Sequence, residues 1–322
     1  MPPEKINANQ VPRSVVNIAG NDFHPRYLAA KKSIDDRALN RHVQETLRRA
    51  LARATGRQPL RILEVGAGIG AMLERCVDEK LLAGPLTYVA TDKNPRQLEA
   101  AKKYLSQWAA RRQGHALSWS GEYQGRLGTG NADITLELVP ASMEALAKGA
   151  DKYGAFHLLL AHAVLDLVDF PAVLPGLLHR LTPNGMAYLT CNFDGETVFL
   201  PEWKGEHEII KHYHASMETR LTGASHTGRR LLTFLQRPGL ELLAAGSSDW
   251  VIHPRKAGYA EDEVFFLHAM IETVEQELAR KDSPPSGLAA WACLRRRQAQ
   301  DGQLSFLARH LDLLVRRRGS LS

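Results

Sequence analysis

Glu64, Gly66, Gly68, Gly70 and Asp92 are the residues whose types and spacing most clearly carry chemistry. A short apolar run over residues 61–65 ends in an acid and passes glycines at alternate positions. It then takes up helical periodicity through Met72, Leu73, Cys76, Val77 and Leu81. That is the junction of a buried parallel strand with a helix, and the missing Cβ atoms let a ligand press against the backbone. The dinucleotide fingerprint needs its third glycine at position 71, where Ala71 stands, and no Gly-Lys-Ser/Thr follows as in a phosphate loop. An acid before the first glycine does not fit beside a pyrophosphate, but it suits a ligand with a positive charge and an amine. Asp92, closing the next strand, is placed to accept from two ribose hydroxyls. Glu64 could instead cap the turn, but a carboxyl closing a buried strand is costly without a polar partner, so ligand contact is the stronger reading. Capping the following helix is compatible with the ribose role of Asp92.

Other candidates follow the later strands. His162 ends an apolar run, where it could face a ligand or simply be a hydrogen-bonded histidine. Asn192, Asp194 and Glu196 follow the fifth strand, and Glu202, Trp203, Glu206, His207, His212, Tyr213 and His214 come after them. Of these, Asn192, Asp194, His162 and His214 are the catalytic candidates, since a base is needed when the acceptor is a hydroxyl or a protonated amine. A solvated helix face is the competing account of the histidines, whose spacing offers no tidy zinc pair. Trp250 is read as core in preference to a substrate wall. Cys76, Cys191 and Cys293 each lie in an apolar context and read as buried small hydrophobes, so no metal site is expected.

The elements that must position these residues alternate in type. Strands are expected at residues 61–65, 86–91, 134–139, 156–161 and 186–192. Between them fall helices at 69–79, 95–111, 142–148 and 171–181, and a turn signal at Pro183–Asn184–Gly185. Before the first strand, residues 1–22 read as loose. One helix is expected over 25–32, and a second opened by Ser33 or Asp35 and running to about Leu51. Residues 116–130 read as an insertion, with a hairpin as its candidate form. Further on, helices are expected at 206–220, 229–236, 262–278 and 288–297, and a strand at 240–245 running toward 251–253. The closing piece, 303–315, fits strand or helix, with a strand over 304–308 preferred. The expected fold is α/β: a doubly wound, Rossmann-like, seven-stranded, mostly parallel sheet, with an N-terminal helical cap and helical C-terminal insertions. The cap would occupy residues 1–57 and the sheet domain 58–322, with a lid or insertion at 194–236 and a helical insertion at 260–300.

The glycine turn Glu64–Gly70, the acid in Ala90–Thr91–Asp92–Lys93, the stretch Leu158–Leu165 and the phrase Leu181–Thr182–Pro183–Asn184–Gly185–Met186 resemble the class I S-adenosylmethionine-dependent methyltransferases, in their small-molecule branch. The resemblance covers residues 60–192. It implies S-adenosylmethionine as the methyl donor and S-adenosylhomocysteine as the product. Glu64, Gly66, Ala67, Gly68 and Gly70 would approach the methionine part, and Asp92 the ribose. Lys93 and Asn94 would lie beside the adenosine, and Ser142 with Met143 beside the adenine. Many relatives carry an acid at this last place, where this chain has Ala141 and Ser142. Ala161 and His162 would face the sulfonium or substrate. Tyr27 and Arg37 would fold over the cofactor from the N-terminal helices, and an Arg there could meet the methionine carboxylate or an acidic substrate.

The acceptor is less defined. Ala161–His162–Ala163–Val164 replaces the Asn/Asp-Pro-Pro-aromatic signature of enzymes methylating exocyclic nitrogens of bases, and no Pro-Cys nucleophile is present. Small-molecule methylation at oxygen or nitrogen is therefore the default. The 322-residue chain has a formal net charge of +6, which suits an anionic metabolite. Its basic residues do not interleave with aromatics, which disfavours nucleic acid as a partner. No run approaches a membrane span and the polar start carries no apolar signal segment, so a cytoplasmic protein is expected, with a homodimer left open. The alternatives are an RNA- or protein-modifying methyltransferase, a non-catalytic scaffold of the same fold and, most distantly, an NAD-dependent oxidoreductase.

Overall fold

Chain order places a minimal ladder β1 (Val16–Asn17) and β2 (Asp22–Phe23) before two helices, α1 (Pro25–Ala38) and α2 (Arg41–Ala54). This is a computed structural model, and it describes residues 16–17, 22–54, 59–149, 154–221, 223–260 and 262–319. The alternation that follows is β3 (Leu60–Val65), α3 (Ala71–Asp78), β4 (Gly84–Asp92), α4 (Pro95–Arg111), β5 (Ala116–Trp119), β6 (Gln124–Gly128), β7 (Ala132–Pro140), α5 (Met143–Lys148), β8 (Phe156–His162) and α6 (Phe170–His179). Then come β9 (Leu181–Leu200), α7 (Glu206–Arg220), α8 (Thr227–Phe234), β10 (Leu240–Ser247), β11 (Trp250–Ile252), α9 (Glu263–Ala279), α10 (Leu288–Gln300) and β12 (Ser305–Arg317).

The main sheet has ten strands in the order β10-β12-β9-β8-β3-β4-β7-β6-β5, with β11 paired to β12. Five adjacent strands, β9-β8-β3-β4-β7, are mutually parallel, and β12 inserts antiparallel between β9 and β10. The expected seven strands form the centre. The extra three are β5 and β6, which fold the 116–130 insertion into an antiparallel hairpin beside β7, and the short β11. The central strands are apolar on both faces because helices cover both. One face packs α2, α3 and α4 on Ile62, Tyr88, Ile134 and Leu158. The other packs α5, α6 and α8 on Leu63, Val89, Leu159 and Leu189. A third apolar cluster joins α1, α7, α9 and α10 through Tyr27, Ile209, Phe266 and Trp291.

Three sequence expectations change. The N-terminal helix does not break near residue 33; α1 runs on to Ala38, and the break falls at Asn40. There the Asn40 Oδ1 accepts from the Val43 amide at 3.1 Å, and the Asn40 amide donates to Asp312 Oδ2 at 2.8 Å. The fifth strand is not 186–192 but the 20-residue β9. The Pro183–Asn184–Gly185 signal is absorbed as an irregularity within it, with Asn184 left-handed (φ 65°), because β8 pairs with Leu181 before it and with Met186 after it. The closing piece is strand, the preferred type, but it runs from Ser305 to Arg317, well past the expected end at 308. Of residues 1–22, expected to be loose, only 16, 17 and 22 are described.

The C-terminal insertion is pinned by a buried ion pair. Arg295, with no exposed surface, donates to Glu206 Oε1 from Nε (2.9 Å) and Nη2 (2.6 Å), and to the Pro201 carbonyl from Nη1 (2.8 Å). Trp291 Nε1 donates to the same Glu206 oxygen at 2.6 Å. Arg295→Met should lower unfolding free energy in urea by about 3–5 kcal/mol, because it strands a buried carboxylate. The Arg295→Met/Glu206→Met pair should recover most of that loss. A single variant as stable as the wild type would show that the pair contributes nothing.

Candidate active site

The carboxyl ends of β3, β4, β7, β8 and β9 open into one cavity of about 280 Å³, roofed by α1, α7 and α9 and closed at the side by β11 and β12. Its floor is the glycine turn. Gly66 (φ 67°) could not carry a Cβ without meeting Val164 Cγ1 at 2.6 Å, and a Cβ on Gly68 (φ 54°) would meet Leu28 of α1 at 3.0 Å. Packing against Val164 and α1 therefore requires glycine at both places. Asp92 fixes it, its Oδ2 accepting from the Gly68 amide and its Oδ1 from the Asn94 amide, both at 2.9 Å. Held this way, the carboxylate keeps further lone-pair directions for a ligand.

Glu64 lines the same cavity and is 2 % exposed; its Oε2 accepts from the Tyr88 hydroxyl at 2.7 Å. Burial pushes its carboxyl up to about 8, against the lowering effect of the Tyr88 hydrogen bond and of Arg75. A neutral acid at the floor is thus poised to ionise when a cation arrives.

A second polar cluster lies where α1 crosses the ends of β8 and β9. Asp35 Oδ2 accepts from Lys31 Nζ at 2.6 Å and from His162 Nε2 at 2.9 Å, and Oδ1 accepts from Trp250 Nε1 at 2.9 Å. Burial alone would raise Asp35; Lys31 and His162 outweigh it and hold the carboxyl well below the usual range. An ionised Asp35 requires the proton of His162 on Nε2, so Nδ1 accepts from the Thr190 hydroxyl at 2.8 Å. Burial lowers His162 to about 4, so it is neutral. The Cys191 Sγ lies 4.0 Å from Asp35 Oδ1. Among the described residues Asp35, His162 and Cys191 bring O, N and S ligand atoms within 4.8 Å of one another. The Lys31 ammonium already supplies the positive charge there, and burial pushes the Cys191 thiol well above its ordinary value.

The cavity wall includes Tyr27, Glu64, Gly66, Ala67, Gly68, Asp92, Lys93, Ser142, Met143 and His162 from the expected set. It does not include Gly70, which caps α3, or Asn94, whose Oδ1 caps α4 by accepting from the Arg96 amide at 3.1 Å. Ala161 is also off the wall, buried in β8. Ser142 meets the cavity, but its hydroxyl caps α5 at Ala145 (3.2 Å), while Glu144 brings an acid to the same wall. Arg37 is turned away and ion-pairs with Glu263, because residues 27, 31 and 35, one helical turn apart, form the face of α1 toward the cavity.

The catalytic candidates after β8 divide the same way. Successive β9 residues alternate faces, so Cys191 and Phe193 reach the cavity while Asn192 and Asp194 do not. Asn192 Nδ2 donates to the Leu311 carbonyl at 2.9 Å, and Asp194 pairs with Arg229 at 2.8 Å. His214 sits behind the wall, its Nε2 3.0 Å from the Thr197 hydroxyl, which does line it. Lys31, Asp35, Thr197 and His310 are cavity residues that sequence reasoning did not assign, and Trp250, read as core, is buried and on the wall as well. The i, i+4 spacing of Tyr27, Lys31 and Asp35 was the available signal.

No protein family and no curated protein matches this chain. Solved structures align over most of it at low identity. One is a provisionally assigned methyltransferase from Bacillus halodurans C-125, at 13 % identity over 85 % of this chain and 99 % of that one, with a TM-score of 0.46. A SAM-dependent methyltransferase from Thiobacillus denitrificans, in complex with S-adenosyl-L-homocysteine, aligns at 12 % identity over 87 % and 93 %, with a TM-score of 0.43. The plantazolicin methyltransferase BpumL, in complex with SAH, aligns at 14 % identity over 95 % of each chain, with a TM-score of 0.42. Counting β3, β4, β7, β8, β9, β10 and β12 as one to seven, the sheet reads 3-2-1-4-5-7-6 with the seventh antiparallel, a doubly wound Rossmann-like order whose reversal between strands one and four places the cavity. No described helix is long and apolar enough to cross a membrane.

Proposed function

We propose that this chain is an S-adenosylmethionine-dependent methyltransferase acting at an oxygen or nitrogen of a small molecule. The observation that carries the reading is the pairing of Glu64 and Asp92 around a bare glycine turn at the carboxyl ends of adjacent parallel strands. The residues fit the donor. The glycine backbone at the cavity floor lies against the methionine chain, Glu64 meets its ammonium, and the anchored Asp92 accepts from the ribose hydroxyls. Bound there, S-adenosylmethionine supplies a methyl carbon already activated by a sulfonium. The chain's own task is then to align an acceptor in line with that carbon and to exclude water. Residues 194–236 serve as the lid in this reading, α7 offering Tyr213, Met217 and Arg220 to the cavity. A concave cavity lined mainly by apolar and aromatic side chains with a few polar groups favours a small acceptor over RNA or protein.

Isothermal titration with S-adenosylmethionine and S-adenosylhomocysteine tests the reading, with NADH as the control. Saturable binding of both sulfur ligands and none of NADH is expected. No binding of either would leave a scaffold that kept the fold without the chemistry.

A further inference from the structure

Lys31 is 8 % exposed, yet among the described residues its ammonium has one hydrogen-bond acceptor, Asp35 Oδ2 at 2.6 Å. It also lies 4.9 Å from the centre of the Trp250 ring. An ammonium has three N–H donors, and leaving buried donors unmade is costly. Asp35 cannot relax to serve it better, because His162 and Trp250 hold the same carboxylate from two other elements. Lys31 is therefore a fixed cation on a cavity wall with donor capacity to spare.

Its surroundings set it apart from the residues that fit the donor. Glu64 is tied to Tyr88, and Asp92 to the turn and to Asn94. Lys31 stands instead with Trp250, against which the His310 ring packs at a tilt of 43°, the two centroids 4.2 Å apart. His310 is neutral, lowered to about 4 by burial and by Lys31, and its Nδ1 donates to the Ala308 carbonyl at 3.0 Å. β9, α7 and α9 bring Phe193, Tyr213, Met217 and Met270 to the wall, along with Thr197, Thr273 and Arg220, whose guanidinium is paired with Glu277 at 3.5 Å. Aromatic and thioether side chains beside the Lys31 ammonium, which Asp35 holds in place, match a planar ring that carries an oxyanion.

We propose that Lys31 holds the acceptor, and that the acceptor is a small aromatic hydroxyl or carboxylic acid bound as its anion and methylated on oxygen. This rests on the methyltransferase reading. The acceptor loses its proton to solvent before it is enclosed, so no buried base has to take it. The oxygen forms its bond to the methyl carbon as the carbon–sulfur bond breaks, and the electron pair of that bond stays on sulfur. A phenolate or carboxylate and a sulfonium thus become a neutral ether or ester and a thioether.

The test uses the full chain loaded with S-adenosylhomocysteine and two probes, 4-nitrophenol and 4-nitrobenzoate, with 4-nitroaniline as the uncharged comparison. The colour of 4-nitrophenol reports its ionised form directly. Wild type should bind at least one anion, with any bound nitrophenol ionised at lower pH than in buffer, and should bind nitroaniline more weakly. Which anion binds separates phenol from carboxylate. Lys31→Met should weaken anion binding by about 10- to 100-fold. The double variant Lys31→Met/Asp35→Asn, which removes the opposing charge as well, should do the same if the single variant folds poorly. Lys31→Arg should retain part of the binding. Equal anion binding in wild type and variants, tighter binding of nitroaniline, or no binding of either anion overturns the proposal. Loss of S-adenosylhomocysteine affinity with anion binding intact would move Lys31 to the donor and overturn it too. If wild type fails to bind S-adenosylhomocysteine at all, the methyltransferase reading falls, and the anion titration alone then decides what Lys31 binds.

Discussion

Replacing Asp92 with alanine should weaken S-adenosylhomocysteine binding by about 2–4 kcal/mol, roughly 30- to 1000-fold, as expected for one to two lost charged hydrogen bonds. The size of the effect follows from how the carboxylate is held. The Gly68 and Asn94 amides each take one lone pair, so the oxygens cannot swing away from the ribose position when no ligand is present. The ligand therefore meets preorganised acceptors, and little ordering cost offsets the bonds. Asp92→Asn should fall between wild type and alanine, since the amide keeps one acceptor oxygen but cannot accept from both backbone N–H groups. Both variants also free the turn at Gly68, so the melting temperature of the unliganded protein should drop as well. Calorimetric titration is accordingly the right measurement, because a thermal shift would mix the two effects. Affinity unchanged by Asp92→Ala would remove this residue from the site.

Asp92 and the glycine turn were readable from sequence because their chemistry is contiguous: an acid, a turn and a strand end fall within a few residues of one another. The α1 residues were not, for a local reason. Breaking the helix near residue 33 severs Tyr27 and Lys31 from Asp35, and Arg37 then looks like the free cation. With α1 continuous to Ala38, residues 27, 31 and 35 share a face and Arg37 is left to Glu263. Parity misled the reading of β9 in the same way. Asn192 and Asp194 have suitable chemistry but the wrong alternation, and Cys191, placed in a left-handed conformation (φ 53°), takes the inward position. Trp250 and His310 arrive from strands far along the chain, through a register with β9 and β12 that only the folded sheet specifies. The sheet centre was legible because its strands are apolar on both faces. The length of β9 was not, because its turn residues survive as an irregularity once β8 pairs with the strand both before and after them.

Glu64 should make ligand binding release a proton. Burial raises its carboxyl to about 8 in the free protein, so at pH 7 the group is largely protonated. A ligand bringing an ammonium beside it favours the carboxylate, and the proton leaves to buffer. Titration of S-adenosylhomocysteine at pH 7 in two buffers of different ionisation enthalpy should therefore show release approaching about one proton per site, vanishing well above pH 8. Affinity should rise with pH, by up to about tenfold per unit below pH 8, and then level off. Glu64→Gln keeps an oxygen to accept from Tyr88, but it should abolish the release and flatten the profile. The same shift has a consequence for stability, with the opposite sign to a salt-bridged acid. The unfolded carboxyl ionises near its ordinary 4.5, while the folded one keeps its proton to about 8. Between those values the folded state binds more protons, so Glu64 costs the unliganded protein stability as pH rises. Glu64→Gln should thus be the more stable protein at pH 8, by roughly 2–4 kcal/mol, and the gap should close toward pH 4.5. Zero proton release, together with a pH-independent gap between the two proteins, would make Glu64 a structural partner of Tyr88 alone.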